Sequence, residues 1–299
     1  MQAISKGPLL KWLIYGHTGW IGKKLCACLE DKGWCVVLAH ARADDPVAVS
    51  TELDDVKPDR VVSAIGRMHG PGTNSIGWLE QPGHLVDNVR DNLFGPIVLA
   101  QETKKRGIHL TYFGSGCIFN STDSDGNVTV FNEDDISNFT DSDYATVKGT
   151  TDRLMKYFEE NVLNCRVRIP IAYDHSPRNF VTKIIGFKKI HSATNSLTVL
   201  DDMLPIIVDM ATGRLTGTYN MTNPGAMSHN EVLTLYKEIV DKTFKWENFS
   251  EEEVRVVLKG ARSNCLLDTS KLEKQCPAVL PLEDAVRKAF MKMAEQNKS

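Results

Sequence analysis

The stretch from Lys11 to Gly22, KWLIYGHTGWIG, runs a β-rich apolar segment straight into three glycines spaced GxxGxxG. No other feature constrains the fold as much. Gly16 permits a tight turn, Gly19 lets the backbone approach a pyrophosphate, and Gly22 lets the following helix pack closely on the strand. The helix N-terminus then presents unpaired N–H groups and the positive end of its dipole to an anion. The periodicity predicts that helix over 20–31, with Gly33 just past its end. Strand, glycine turn and helix in that order open a dinucleotide-binding parallel sheet. Gly16, Thr18, Gly19, Trp20, Ile21 and Gly22 are therefore the first candidate cofactor contacts.

The pattern continues through the first 170 residues. WCVVLAH, RVVSAIG, IHLTYFGSG and CRVRIPIAY read as four further strands, and a long helical stretch spans 84–105. Strands this continuously apolar are buried on both faces by helices. The expected fold is α/β: a Rossmann-type doubly wound parallel sheet over 1–170, and a smaller C-terminal substrate-binding lobe over 171–299 with an interleaved boundary. Helices are expected near 201–212, 228–241 and 281–295, and NSTDSDGNVTV reads as a surface loop.

With 299 residues the chain is long enough for both parts and a pocket between them. A net charge of −3, without a long Lys/Arg run, argues against nucleic-acid or anionic-membrane partners. No segment approaches the roughly 18 apolar residues of a membrane span, and the first residues lack a signal-peptide pattern. The seven cysteines are scattered and odd in number, which points to a reducing, cytoplasmic location. Cys26 and Cys28 form a CxC with no second ligand pair, so no metal site is expected. The sequons at Asn120, Asn138 and Asn248 carry no consequence in such a compartment.

Cofactor choice falls at the end of the second strand, where LAHARADD puts Arg42 in reach of a 2′-phosphate. This favours NADPH, while Asp44 and Asp45 leave NADH open. Ala64 and Gly66, at the end of the third strand, complete the cofactor-facing set. The chemical centre is expected in DSDYATVKGT, where Tyr144 and Lys148 lie one helical turn apart. The ammonium should favour phenolate and lower the tyrosine pKa. In FGSGCIF, Ser115 and Cys117 share a face if the chain stays extended. Cys117 is then either a small buried hydrophobe or an acid/base beside the serine. Lys183, in SPRNFVTKI, reads from spacing alone as a solvated helix lysine, with a second acid/base as the alternative.

Gly16, Gly19, Gly22, Ser115, Tyr144 and Lys148 together resemble the extended short-chain dehydrogenase/reductases that act on nucleotide sugars. Along nearly the whole chain, from LIYGHTGWIG through GSGCIF, PRNFVTKI, GTYNMTNPGAMSHNE and ARSNCLLDTSKL, the sequence is similar to the plant bifunctional nucleotide-rhamnose synthase/epimerase-reductases. The resemblance implies 3,5-epimerisation and NADPH-dependent 4-reduction of UDP-4-keto-6-deoxy-glucose, or of its dTDP form, in a homodimer. It implies Cys117 and Lys183 as the epimerisation pair and Ser115, Tyr144 and Lys148 as the reductase triad. In that family Lys148 also holds the nicotinamide ribose, and Asn92 supports the active-site helix. Asn179, Lys183 and Arg262 are the implied nucleotide-sugar contacts. This chain has Ser115 where the family has Thr, Pro96 where it has Thr, and a longer glycine-rich loop over 66–83. Three alternatives stay open: a 4-reductase alone, a GDP-fucose synthase-like enzyme, and a non-catalytic NADP-binding regulator.

Overall fold

The computed structural model describes residues 9–68, 70–72, 76–250, 252–253 and 263–297. Six strands form the central sheet: β1 (Lys11–Tyr15), β2 (Cys35–Leu38), β3 (Arg60–Ser63), β4 (His109–Ser115), β5 (Val162–Val167) and β6 (Gly217–Asn220). Their order is β6-β5-β4-β3-β1-β2, and every neighbouring pair is parallel. The order reverses at β1, with β2 on one side and β3 on the other. The crevice outside the carboxyl ends of β1 and β3 is thus the topological switch point at which such sheets bind ligands.

The period-2 alternation of KWLIY, apolar on both faces, decides the layering. Trp12 and Ile14 join Val62, Phe113 and Leu163 beneath Leu25 and Leu29 of α1 (Trp20–Asp31) and Leu204 and Ile207 of α2 (Leu200–Thr212). Leu13 and Tyr15 join Val61, Leu110 and Tyr112 on the opposite face. There they meet Val49 and Leu53 of α3 (Pro46–Val56), Val98 and Leu99 of α4 (Gly95–Lys105) and Met155 of α5 (Asp143–Met155). A second core lies among α6 (Phe180–Ile185), α7 (His229–Ile239) and α8 (Leu282–Gln296), built on Val181, Ile184, Leu233, Phe290 and Met293. Helix α7 begins with a reciprocal capping box between Ser228 and Glu231.

Three details differ from the sequence expectation. The sixth strand is the short GTYN, too polar to read as a buried strand; it returns from the C-terminal half to pair Gly217 with Leu163 and Asn220 with Arg166. The strand expected over CRVRIPIAY stops at Val167, because Ile169 takes a left-handed φ of 37° and Pro170–Ile171 pairs instead with Thr198–Val199. The helical stretch over 84–105 contains a π turn at Arg90–Phe94. Pro96 explains the last: it has no N–H, and its ring would collide with the carbonyl four residues back, that of Asn92. The freed Asn92 carbonyl accepts from the Thr151 hydroxyl of α5 at 2.8 Å, while the Asn92 amide donates to the carbonyl of Arg67 and to Asn88, both at 2.9 Å.

Candidate active site

At the switch point, Gly16 has φ of 80°, and a Cβ there would lie 2.6 Å from the carbonyl carbon of Ala64. A methyl on Gly22 would overlap the Gly16 carbonyl. Both positions therefore require glycine to hold strand and helix together. Gly19 caps α1 without a side-chain hydrogen bond, and both it and Thr18 are exposed. The first-turn N–H groups of α1 are thus left for an external anion, which fits a dinucleotide pyrophosphate. Trp20 and Ile21 are half-buried against the core, and the Trp20 indole donates to Asp174 at 3.1 Å, so these two contribute backbone to that cradle. Beyond β2, Arg42 is two-thirds exposed and pairs with Asp44 at 2.9 Å. Its guanidinium stands free enough to exchange that carboxylate for a phosphate. Gly66 lies close to the Asn92 side chain, the nearest atom to a Cβ there being Asn92 Oδ1 at 3.8 Å.

The candidate catalytic side chains gather at the carboxyl ends of β4 and β5. β4 is buried along its whole length and ends at Ser115. The chain then turns instead of staying extended, so the face-sharing expected of residues 115 and 117 does not occur; the turn brings the Cys117 N–H to Ser115 Oγ at 3.1 Å. The Tyr144 hydroxyl is a near neighbour of both Ser115 and Cys117. These three side chains, with Lys148, form one cluster.

The electrostatics correct one expectation. Burial pushes the Tyr144 phenol well above its ordinary pKa, with the neighbouring Cys117 adding to the rise. The phenol is held neutral, ready to give a proton, and is not biased toward phenolate. Burial also lowers the Lys148 ammonium to about 8, against the opposing pull of Asp152 and Cys117. Its Nζ donates to Tyr112 Oη at 2.5 Å, a partner that the sequence reading missed.

Arg168 was missed as well. Only 5% exposed, it donates from Nη1 to Cys117 Sγ at 2.7 Å, and its other arm is held by Asn195 Oδ1 at 2.7 Å and the Ser263 carbonyl at 2.5 Å. The signal was present in RVRIP: two arginines in an otherwise apolar run demand buried polar partners. Arg166 finds one in Asp152 of α5, at 2.7 and 2.9 Å.

Glu80, in the long loop after β3, is a third omission. Its carboxylate accepts from the N–H groups of Asp143 at 2.9 Å and Tyr144 at 3.2 Å, and Ser142 Oγ accepts from Ala145 at 3.1 Å. The first turn of the helix carrying Tyr144 is thereby capped from 63 residues upstream.

The implied substrate contacts fare differently. Lys183 belongs to another element, α6, where partial burial and then Arg178 lower its ammonium pKa. Asn179 caps that helix: Oδ1 accepts from Val181 and Ala172, and Nδ2 donates to the carbonyls of Ala172 and Asp174, both at 2.6 Å. Its side-chain amide thus ties the start of α6 to the segment 172–174. Arg262 lies outside the described residues. Among the described residues no helix is long and apolar enough to cross a membrane.

A parallel sheet with a glycine-turn nucleotide site and a Ser/Tyr/Lys cluster defines a short-chain reductase-type enzyme, and the chain belongs to the NAD dependent epimerase/dehydratase family, whose model matches residues 12–206. It is 49% identical over 292 residues, 96% of this chain and 100% of that protein, to L780 of Acanthamoeba polyphaga mimivirus. The crystal structure of the mimivirus L780 UDP-rhamnose synthase matches it at 48% identity with a TM-score of 0.91, over 96% of this chain and all of that one. An Arabidopsis thaliana bifunctional dTDP-4-dehydrorhamnose 3,5-epimerase/dTDP-4-dehydrorhamnose reductase is 38% identical over 95% of this chain and 93% of its own. The NADP complex of a Bacillus anthracis dTDP-4-dehydrorhamnose reductase shares the fold, with a TM-score of 0.79 at 15% identity, over 96% of this chain and all of that one.

Proposed function

We propose that the chain is an NADPH-dependent nucleotide-sugar 3,5-epimerase/4-reductase that converts UDP-4-keto-6-deoxy-glucose to UDP-β-L-rhamnose in the cytoplasm, as a homodimer. The observation that carries this reading is the meeting of a thiol, Cys117, with the Ser115/Tyr144 hydroxyl pair, in a chain alike from end to end to a UDP-rhamnose synthase. A reductase alone needs the hydroxyl pair; the thiol beside it is surplus to that chemistry.

The residues divide the work. A C4 ketone hydrogen-bonded by Tyr144 and Ser115 makes the protons on C3 and C5 acidic, and the same two donors stabilise the enolate oxygen that forms when either proton leaves. Cys117 and Lys183 are the acid/base pair, one removing the proton and the other returning one from the opposite face. Lys183 suits that role because burial eases loss of its proton. The glycine turn and the α1 N-terminus would hold NADPH, which when bound would be the hydride source for C4. The neutral Tyr144 phenol gives its proton to the C4 oxygen, and the Lys148 ammonium one turn away stabilises the phenolate left behind. Arg42 would hold the 2′-phosphate. The dTDP sugar is a second reading, favoured by the likeness to the Arabidopsis bifunctional enzyme.

Incubation with UDP-4-keto-6-deoxy-glucose and NADPH in deuterated water is expected to give UDP-L-rhamnose with deuterium at C3 and C5. NADPH consumption without deuterium at either carbon would reduce the enzyme to a 4-reductase. Turnover of the corresponding GDP-keto-sugar alone would make it a fucose synthase.

A further inference from the structure

We propose that Tyr112 is a positioning residue for the reduction step: its buried hydroxyl seats the Lys148 ammonium beneath Tyr144. This rests on the reading of Tyr144 as the proton donor, but its central claim concerns Lys148 alone.

Tyr112 lies on β4, three residues before Ser115, and is completely buried. Its Oη accepts a hydrogen bond from Lys148 Nζ at 2.5 Å, and the Nζ also stands 4.6 Å from the centre of its ring. Beyond the tyrosine, Nζ reaches the Phe113 carbonyl at 3.4 Å, a long contact. Lys148 is itself 3% exposed, so water does little to support its charge. The charged and titratable groups around it are few. Asp152 stands one turn further along α5, engaged bidentately by Arg166 of β5. Cys117 in the turn after β4 acts on Lys148, and Arg168 holds that thiol from the end of β5. Tyr144 is on the same helix. Tyr112 therefore supplies the one short hydrogen bond to the ammonium among the described residues.

The consequence is chemical. When Tyr144 gives up its proton, the phenolate forms in a site where burial opposes charge, and an ammonium one helical turn away is what makes that state accessible. The ammonium must survive its own burial to do so. A hydroxyl acceptor at 2.5 Å and a ring face both favour the charged form. Epimerisation returns each proton to carbon and leaves no phenolate, so it does not draw on Lys148 in the same way.

Tyr112→Phe removes the oxygen and keeps the ring. The Lys148 titration, followed by 15N NMR of its Nζ in the protein without substrate, is expected to move down by about one unit from its starting value near 8. The rate of hydride transfer should fall about fivefold at pH 8, its basic limb shifting to lower pH, while deuterium exchange into C3 and C5 stays within about twofold. An unmoved titration overturns the proposal; a shifted titration with both reactions slowed equally overturns the assignment to reduction. If Tyr112→Phe fails to fold, a fluorinated tyrosine at position 112 keeps the shape and weakens the oxygen as an acceptor. The same downward shift is then expected in graded form, and its absence overturns the proposal. Wild-type protein that turns over no keto-sugar would sink the proposed function, leaving the NMR titration to decide on Tyr112.

Discussion

At the scale of single residues the site is defined by what burial does to charge. Tyr144 and Lys148 move in opposite directions for the same cause: the phenol holds its proton more tightly and the ammonium less. Arg168 turns its guanidinium on Cys117 Sγ. Because a positioned acid/base contributes about 10²–10⁴-fold, Cys117→Ser is expected to cut deuterium entry at C3 and C5 at least 100-fold. Reduction of a sugar already epimerised at both centres should proceed nearly unimpaired. Product NMR on the two substrates checks the pair. Equal loss in both reactions would mean that the thiol supports the site as a whole.

At the scale of elements the decisive unit is α5. Its N-terminus is closed by Ser142 from within and by Glu80 from the long loop after β3, whose Leu79 is fully buried. Its far turn is tied to the sheet by the Asp152–Arg166 pair and to the π turn by Thr151. The loop looked like an insertion of unassigned purpose in the sequence; in the fold it holds the turn that carries Tyr144. Glu80→Ala leaves two N–H groups without their acceptor and is expected to lower stability by about 1 kcal/mol. The reduction rate should drop several-fold with little change in NADPH affinity, measured by denaturant unfolding, stopped-flow oxidation and fluorescence titration. A rate equal to wild type would leave the loop a purely structural strap.

At the scale of the whole molecule, the C-terminal half is bolted to the sheet by side chains that reach carbonyls. Arg60 donates to Ala211 at 2.6 Å and Thr212 at 2.7 Å, and His109 Nε2 bonds the Leu215 carbonyl at 2.6 Å. At the other end of α2, Asp201 pairs with Lys24 of α1 at 3.2 Å, and Lys24 also pairs with Asp174 at 2.7 Å. Burial lowers His109 to about 4, so between its ordinary pKa near 6.5 and about 4 the unfolded chain takes up a proton that the folded chain refuses. Its contribution is therefore full above 6.5 and lost as pH falls through that window, by at most about 3 kcal/mol. Urea unfolding at pH 7 and pH 4.5 is expected to show the loss, and His109→Gln should reduce its size. An unaltered pH dependence in the variant would place the proton uptake elsewhere.

Some of this was legible in the chain itself. A glycine triplet between an apolar strand and a helix admits few folds, because only glycine allows the φ at Gly16 and the contact at Gly22. Periodicity located α1 and the C-terminal helices because local hydrophobic spacing and caps govern them. Tyr144 and Lys148 were legible for the same reason, lying within one helix. What lay beyond sequence reasoning was contact between distant segments. Arg168 on Cys117, Tyr112 under Lys148, Glu80 on the α5 cap and GTYN at the sheet edge each join residues 36 to 64 positions apart. No local pattern encodes such pairings; they follow from how the layers close. Local sequence determined that the chain would bind a dinucleotide and carry a Tyr/Lys pair. Tertiary burial alone decided the charge states in which that pair would work.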